Sequence, residues 1–439
     1  MSTEQPEWTR AERAIAPDVE TPLTFTTMPA AACLLRHGDT EILRLHADDT
    51  GAVTFHARGP AGAEPLELRL DSTAPDGTQH GHTIVLAAAP GVPTAADATP
   101  RPKPASTTVP PLDAGSLQIE NHGLVQRGYP PRPPRARATA YARWVENVSR
   151  PWTRVGSRIV ERPDVRFGAA TALRSPTLPL PPPRASVTFN NTSDTWSGAQ
   201  FSHPEEQFMY VDGTWTVPGV LPVMVPGYSA TAAWAGLTAD KLYQAGSDSE
   251  SYNLQLPFGG TWQFTNYWMW LEAYPWPSWQ ITNMSISTGD EVQVIIFPAQ
   301  ADGNTVFARG TGGGLTAADN NVWYMIYNHT RGTSFWGSYE CPFFTGTNVE
   351  WIVERPEVNG SSAPLAFFLP FSMWSLWYGD SELGWCELFP SCSGIWGHVP
   401  SYINMQDAAS GHLLDIVHPQ PDRTGDGGQE MVFIWTSSQ

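Results

Sequence analysis

The pentapeptide Glu350-Trp351-Ile352-Val353-Glu354 decides how this chain is read. Its aromatic and β-branched residues suit an extended strand, and successive side chains of a strand point to opposite faces. Glu350 and Glu354 then share one surface with Ile352 between them, while Trp351 and Val353 take the other. Two acids on one face of an aromatic-rich sheet point to chemistry or to sugar binding.

Outward from that strand, the texture beyond residue 190 is uniform. Short runs rich in Trp, Tyr, Val, Ile and Phe predict strands at Thr214 to Val217, Trp262 to Trp270, Glu291 to Phe297, Val322 to Tyr327, Val349 to Glu354 and Met431 to Trp435. Gly, Pro, Asn and Asp break them, and no helical periodicity or solenoid repeat intervenes. The expectation is an all-β domain over residues 190–439, an antiparallel two-sheet β-sandwich. Residues 1–90 also read as a small β-rich domain of unknown role, with strands at Glu41 to Leu45, Ala52 to Phe55 and His82 to Leu86. Residues 91–189 read as a Pro/Arg-rich linker, since runs such as Pro130-Pro131-Arg132-Pro133-Pro134 and Pro176 to Pro183 disfavour a packed core. A short helix is expected around Ala138 to Val145.

Charge divides the chain in the same places. Residues 190–439 hold 24 Asp and Glu against 5 Lys and Arg, so the net charge of -18 belongs to this half. Such a surface repels nucleic acid and anionic membranes, and neither is expected as a partner. From Arg101 to Arg184 the balance reverses, with 14 Arg and Lys against 5 Asp and Glu. A basic segment ahead of an acidic domain reads either as an intramolecular prosegment that docks on an acidic cleft or as a solvated linker. Charged residues from Glu4 to Asp18 leave no apolar region for a signal peptide, and the run Ala363 to Tyr378 is too short and too proline-interrupted to cross a bilayer.

Other chemistries can be set aside. The chain has no Gly-x-Ser-x-Gly elbow, His-Glu-x-x-His pair or phosphate-binding loop. Asp49-Thr50-Gly51 stands alone, whereas two carboxylates sharing a proton would need a second such tripeptide; it reads as a hairpin turn. The four cysteines have no metal-ligand spacing, and whether Cys386 and Cys392 bridge stays open.

Several segments, taken in order, resemble the glutamic peptidase (eqolisin) family over roughly residues 195–437. They are Trp196-Ser197-Gly198-Ala199, Val211 to Pro218, Ala233-Trp234-Ala235-Gly236-Leu237, Tyr243-Gln244-Ala245-Gly246-Ser247-Asp248, Trp270-Leu271-Glu272-Ala273-Tyr274-Pro275, Ile286 to Asp290 and Val349 to Glu354. The resemblance implies a sandwich of lectin-like jelly-roll type and a pepstatin-insensitive acid endopeptidase. It implies a monomer that acts on protein and peptide substrates with no metal or cofactor, in a secreted or acidic setting. It assigns Gln244 and Glu354 as the catalytic pair, Glu354 as general base on water and Gln244 as donor to the oxyanion. Trp234, Asp248, Glu272 and Glu350 are supporting candidates: Trp234 as a cleft wall, Asp248 and Glu272 as acids orienting Gln244 or tuning Glu354, and Glu350 as a like charge raising Glu354. The residues alone also allow a satisfied sheet glutamine at Gln244 and a Glu354–Arg355 ion pair. A carbohydrate binder, a glycoside hydrolase and an inactive peptide-binding homologue are the competing functions.

Overall fold

The computed structural model describes the chain except residues 1–6, 89–106, 169–190, 301–319, 388–399, 421–429 and shorter stretches of one to five residues. Cys392 and the proline run from Pro176 to Pro183 lie outside the described residues. The chain is almost entirely strand and divides into two compact units.

The first unit comprises residues 1–105, 220–230 and 248–268. Its sheet runs, in spatial order, Glu7–Ile15, Gln79–Ala88, Leu66–Thr73, Ala32–His37, Thr40–His46, with the first pair parallel and the rest antiparallel. Leu66–Thr73 alternates buried and outward residues as a half-covered strand must. Thr21–Thr26 pairs with Ala52–Arg58, which pairs in turn with Gln263–Thr265. Phe55, Leu35, Leu68, Trp262 and Phe264 share one core. The expected boundary at residue 90 thus needs revision, because residues 220–230 and 248–268 belong to this unit and Trp262 and Phe264 enter its core. Asp49-Thr50-Gly51 is a turn, with the Thr50 and Ala52 N–H groups donating to Asp48 Oδ1, both at 2.9 Å.

The second unit, residues 106–219, 231–247 and 269–439, is a long antiparallel ladder. From one end it runs Thr333–Glu340, Asn320–Asn328, Glu291–Gln300, Phe208–Thr216, Phe371–Asp380, Glu430–Trp435, Leu413–Gln420, Ser401–Gln406, Trp196–Ser202, Asn348–Glu354 and Gly227–Thr238. The ladder folds into facing layers: Trp351, on Asn348–Glu354, donates its indole N–H to the carbonyl of Asp212, on Phe208–Thr216, at 2.8 Å. Among the described residues beyond 190 there is no helix.

The proline-rich segment differs from an extended linker. The helix Ala138–Val148 places Tyr141, Trp144, Val145 and Val148 at i, i+3, i+4 and i+7, one stripe that packs with Tyr210, Ile295, Phe297, Met325 and Trp377. Prolines do not prevent this packing because their carbonyls are used: Trp144 donates to Pro130 O at 2.9 Å, and Tyr129 to Pro110 O. Downstream, Ile159–Arg162 pairs with Ser278–Ser285 and Val165–Arg166 with Glu357–Val358, both antiparallel. Composition recorded the prolines; it did not weigh the aromatic anchors set between them.

Candidate active site

Asn348–Glu354 is a central strand, paired on both edges with antiparallel neighbours, and it is buried on both faces. The register sets side chains in rows on one face. Trp196, Glu354 and Ala232 form one row, Gly198, Ile352 and Trp234 the next, and Gln200, Glu350 and Gly236 the third. Small residues beside each large one leave room for the acids between the strands. The opposite face, Trp351 and Val353, is core.

Glu354 is fully buried yet well supplied with donors. The Trp234 indole N–H gives to its Oε2 at 2.8 Å, and the backbone N–H of Gly168 lies 3.0 Å from both of its oxygens. Trp196, edge-on to Trp234 at 5.2 Å between ring centres, favours the carboxylate from the same side. Burial pushes Glu354 up to about 8, while these N–H groups pull it down and Glu357 raises it further.

Gln244, on Leu242–Gln255, is also fully buried. Its strand approaches Trp234 very closely. A Cβ at Gly246 would stand 2.3 Å from the carbonyl O of Ala233 and 2.6 Å from Cβ of Trp234, so only glycine fits there. The Gln244 Nε2 donates to Glu272 Oε2 at 3.2 Å, which leaves its second N–H for another acceptor. Its Oε1 has no hydrogen-bond partner among the described residues. Glu272 also accepts the Phe167 N–H at 3.0 Å. Burial raises Glu272 well above the ordinary range; the Phe167 N–H opposes this, and the charge of Glu354 adds to it.

Gln244, Glu272, Glu354 and Trp234 therefore come together. Glu350 and Asp248 do not join them. Glu350 accepts from Thr238 Oγ1 at 2.9 Å and Gln200 Nε2 at 3.2 Å, and burial raises it to about 7. Four residues of strand put about 13 Å between its Cα and that of Glu354, and burial with Glu357, not Glu350, raises Glu354. The expected like-charge tuning by Glu350 is corrected accordingly. Asp248 lies along the Gln244 strand but in the first unit, where it accepts the Ser249 N–H at 3.0 Å. Arg355 does not pair with Glu354 either: it donates to the Asp194 carbonyl at 2.6 Å and lies 3.7 Å from Asp407.

Phe167, Gly168 and Trp270 were not marked as site residues by sequence. Phe167 stacks on Trp270 with ring centres 3.7 Å apart and planes 8° from parallel. Nothing local in Val165-Arg166-Phe167-Gly168 announces this, because its meaning lies in partners more than a hundred positions away. Among the described residues, no cluster of three or more His, Cys, Asp or Glu stands ready to hold a metal. No helix among them is long and apolar enough to cross a membrane.

Residues 194–313 match the model of the Peptidase A4 family. The resemblance to glutamic peptidases read from the sequence thus has independent support over a stretch that includes Trp196, Trp234, Gln244 and Glu272, and that ends before Glu354. Among solved structures the chain is similar to scytalido-glutamic peptidase with a transition state analog inhibitor, at 18% identity over 55% of this chain and 98% of that one, with a TM-score of 0.39. It is also similar to SCP-B, a member of the eqolisin family in complex with the tripeptide Ala-Ile-His, at 16% identity over the same shares and a TM-score of 0.35. No curated protein matches the chain.

Proposed function

We propose that this chain is a glutamic peptidase that hydrolyses peptide bonds with Glu354 as general base and Gln244 as oxyanion donor. The observation that carries the reading is the convergence of Gln244, Glu272 and Glu354, far apart in sequence, in one buried cluster walled by Trp234. The Peptidase A4 match supports the class of reaction.

In the proposed reaction Glu354, ionised, takes a proton from a water whose oxygen attacks the scissile carbonyl carbon. The carbonyl oxygen becomes an oxyanion that accepts the second N–H of Gln244, whose orientation is fixed by the bond of the first to Glu272. Glu354 then passes its proton to the amide nitrogen, the C–N bond breaks, and acid and amine products leave. Water admitted with substrate relieves the burial that raises Glu354, bringing its titration down toward the ordinary carboxyl range.

The test is hydrolysis of a denatured protein by the full chain at pH 3.5 and 7 with pepstatin present, beside Glu354→Gln and Gln244→Ala. Loss of at least a thousandfold for the first and about a hundredfold to a thousandfold for the second is expected. Undiminished cleavage by either variant would remove that residue from the mechanism. Absence of cleavage by a folded parent and by a parent freed of the Phe167 ring (Phe167→Ala) would remove the reading itself.

A further inference from the structure

The acid cluster just described is already covered by the chain itself. Two ladders hold the filling segment: Ile159–Arg162 on Ser278–Ser285, and Val165–Arg166 on Glu357–Val358. Arg162 braces the bend between them through Asp164, with Nε to Oδ1 at 3.0 Å and Nη2 to Oδ2 at 3.1 Å. The segment then delivers Phe167 and Gly168 to the acids. The Phe167 N–H takes Glu272, the Gly168 N–H takes both oxygens of Glu354, and the Phe167 ring covers Trp270.

Gly168 is suited to this place twice over. Its φ of +71° is one that side-chain-bearing residues rarely adopt, and a Cβ there would stand 2.6 Å from Nε2 of Gln244. The segment is also an unreactive occupant. Two successive backbone N–H groups face the two carboxyls, so a donor sits where the attacking water has to bind. Among the described residues Glu272 is the only acceptor for the Gln244 amide; no peptide carbonyl is held there for attack.

Resting on the peptidase reading, we propose that Val165–Gly168 is a built-in competitive occupant of the peptide cleft, which keeps the site latent and whose Phe167 fills an aromatic side-chain seat on Trp270. A substrate peptide takes the same carboxyls and the same seat, so an extended peptide carrying an aromatic residue is the favoured class.

The experiment compares the uncleaved full chain, its intact mass verified, with Phe167→Ala and Gly168→Ala on a quenched fluorogenic peptide. Amide hydrogen exchange at Phe167 and Gly168 is followed in parallel in the parent and in Glu354→Ala. Expected are a rise in kcat/KM of tenfold or more in both variants, and competitive inhibition of them by a synthetic peptide of residues 159–168 but not by its Phe-to-Ala form. Slow exchange of the two amides in the parent and loss of that protection at Gly168 in Glu354→Ala are also expected. Exchange at the unprotected rate in the parent overturns the proposal whatever the activity; so does measurable and equal hydrolysis by parent and variants with no inhibition by the peptide. Protected amides released by Glu354→Ala in a chain and variants that hydrolyse nothing would uphold the occupant and overturn the peptidase reading, so the two failures are distinguishable.

Discussion

At the scale of single residues, the site is an argument between burial and hydrogen bonding over Glu354. Burial favours the neutral acid; the N–H groups of Gly168 and Trp234 favour the anion. Replacing Trp234 by Phe keeps an aromatic wall, though a smaller one, and removes one charge-assisted hydrogen bond, a contact worth about 1.5–3 kcal/mol. The base should then be harder to ionise. The expected result is an acid limb of the kcat/KM profile moved to higher pH by about one to two pH units, with circular dichroism unchanged. A profile that does not move would mean that Trp234 acts only as a wall. Glu272 works differently: it accepts the Gln244 amide N–H at 3.2 Å, so under the proposed mechanism Glu272→Ala should lower kcat more than it raises KM, while Glu272→Gln, which retains an acceptor oxygen, restores part of the loss.

At the scale of elements, two close approaches fix the geometry. The strand bearing Gln244 reaches the Trp234 strand only because Gly246 lacks a Cβ, and Gly246→Ala should cost about 1–3 kcal/mol by overpacking, read as a lower urea midpoint. The helix Ala138–Val148 is held by its apolar stripe, with Trp144 deeply buried. Trp144→Ala should cost about 3–5 kcal/mol, and limited proteolysis should cut first within residues 138–154. If the first cuts fall elsewhere at the parent's rate, the stripe is not what fastens this helix. Polar contacts add to it: Asn147 donates to Gln293 at 2.8 Å, and Gln293 to Asp212 at 2.8 and 2.9 Å.

At the scale of the whole molecule, buried acids set the response to pH. Asp212, Glu350 and Asp415 are raised to about 7 and Glu354 to about 8, in each case chiefly by burial. A carboxyl whose native titration lies above its unfolded value keeps its proton in the fold after the unfolded chain has released it. Stability from these groups is therefore complete below about pH 4 and is lost as pH climbs through 7 to 8. His329 acts in the opposite sense, since burial and the Arg150 and Arg143 guanidinium groups lower it to about 3, while Glu272, raised well above its ordinary value by burial, joins the four acids. The net charge of -18 reinforces the acid preference. Thermal midpoints should be highest near pH 4 to 5 and fall by several degrees toward pH 8; a midpoint that rises over that range would contradict the account.

By itself, the sequence determined the strands, because the preference of aromatic and β-branched residues for extended backbone acts locally; Thr214 to Val217, Glu291 to Phe297 and Val349 to Glu354 all lie within or at the edge of observed strands. It also put Glu350 and Glu354 on one face, since the period of two needs no partner. Only the tertiary structure decided what each acid faces. Glu354 lies opposite Trp196 and near Trp234, whereas Glu350 lies opposite Gln200 and Gly236, and register between strands is a long-range property that no local window contains. The same reason hid Phe167 and Gly168. Their neighbours in sequence read as proline-rich spacer, and their function comes from Glu272, Gln244, Trp270 and Glu354, which the chain brings to them only when the ladders on Ser278–Ser285 and Glu357–Val358 close.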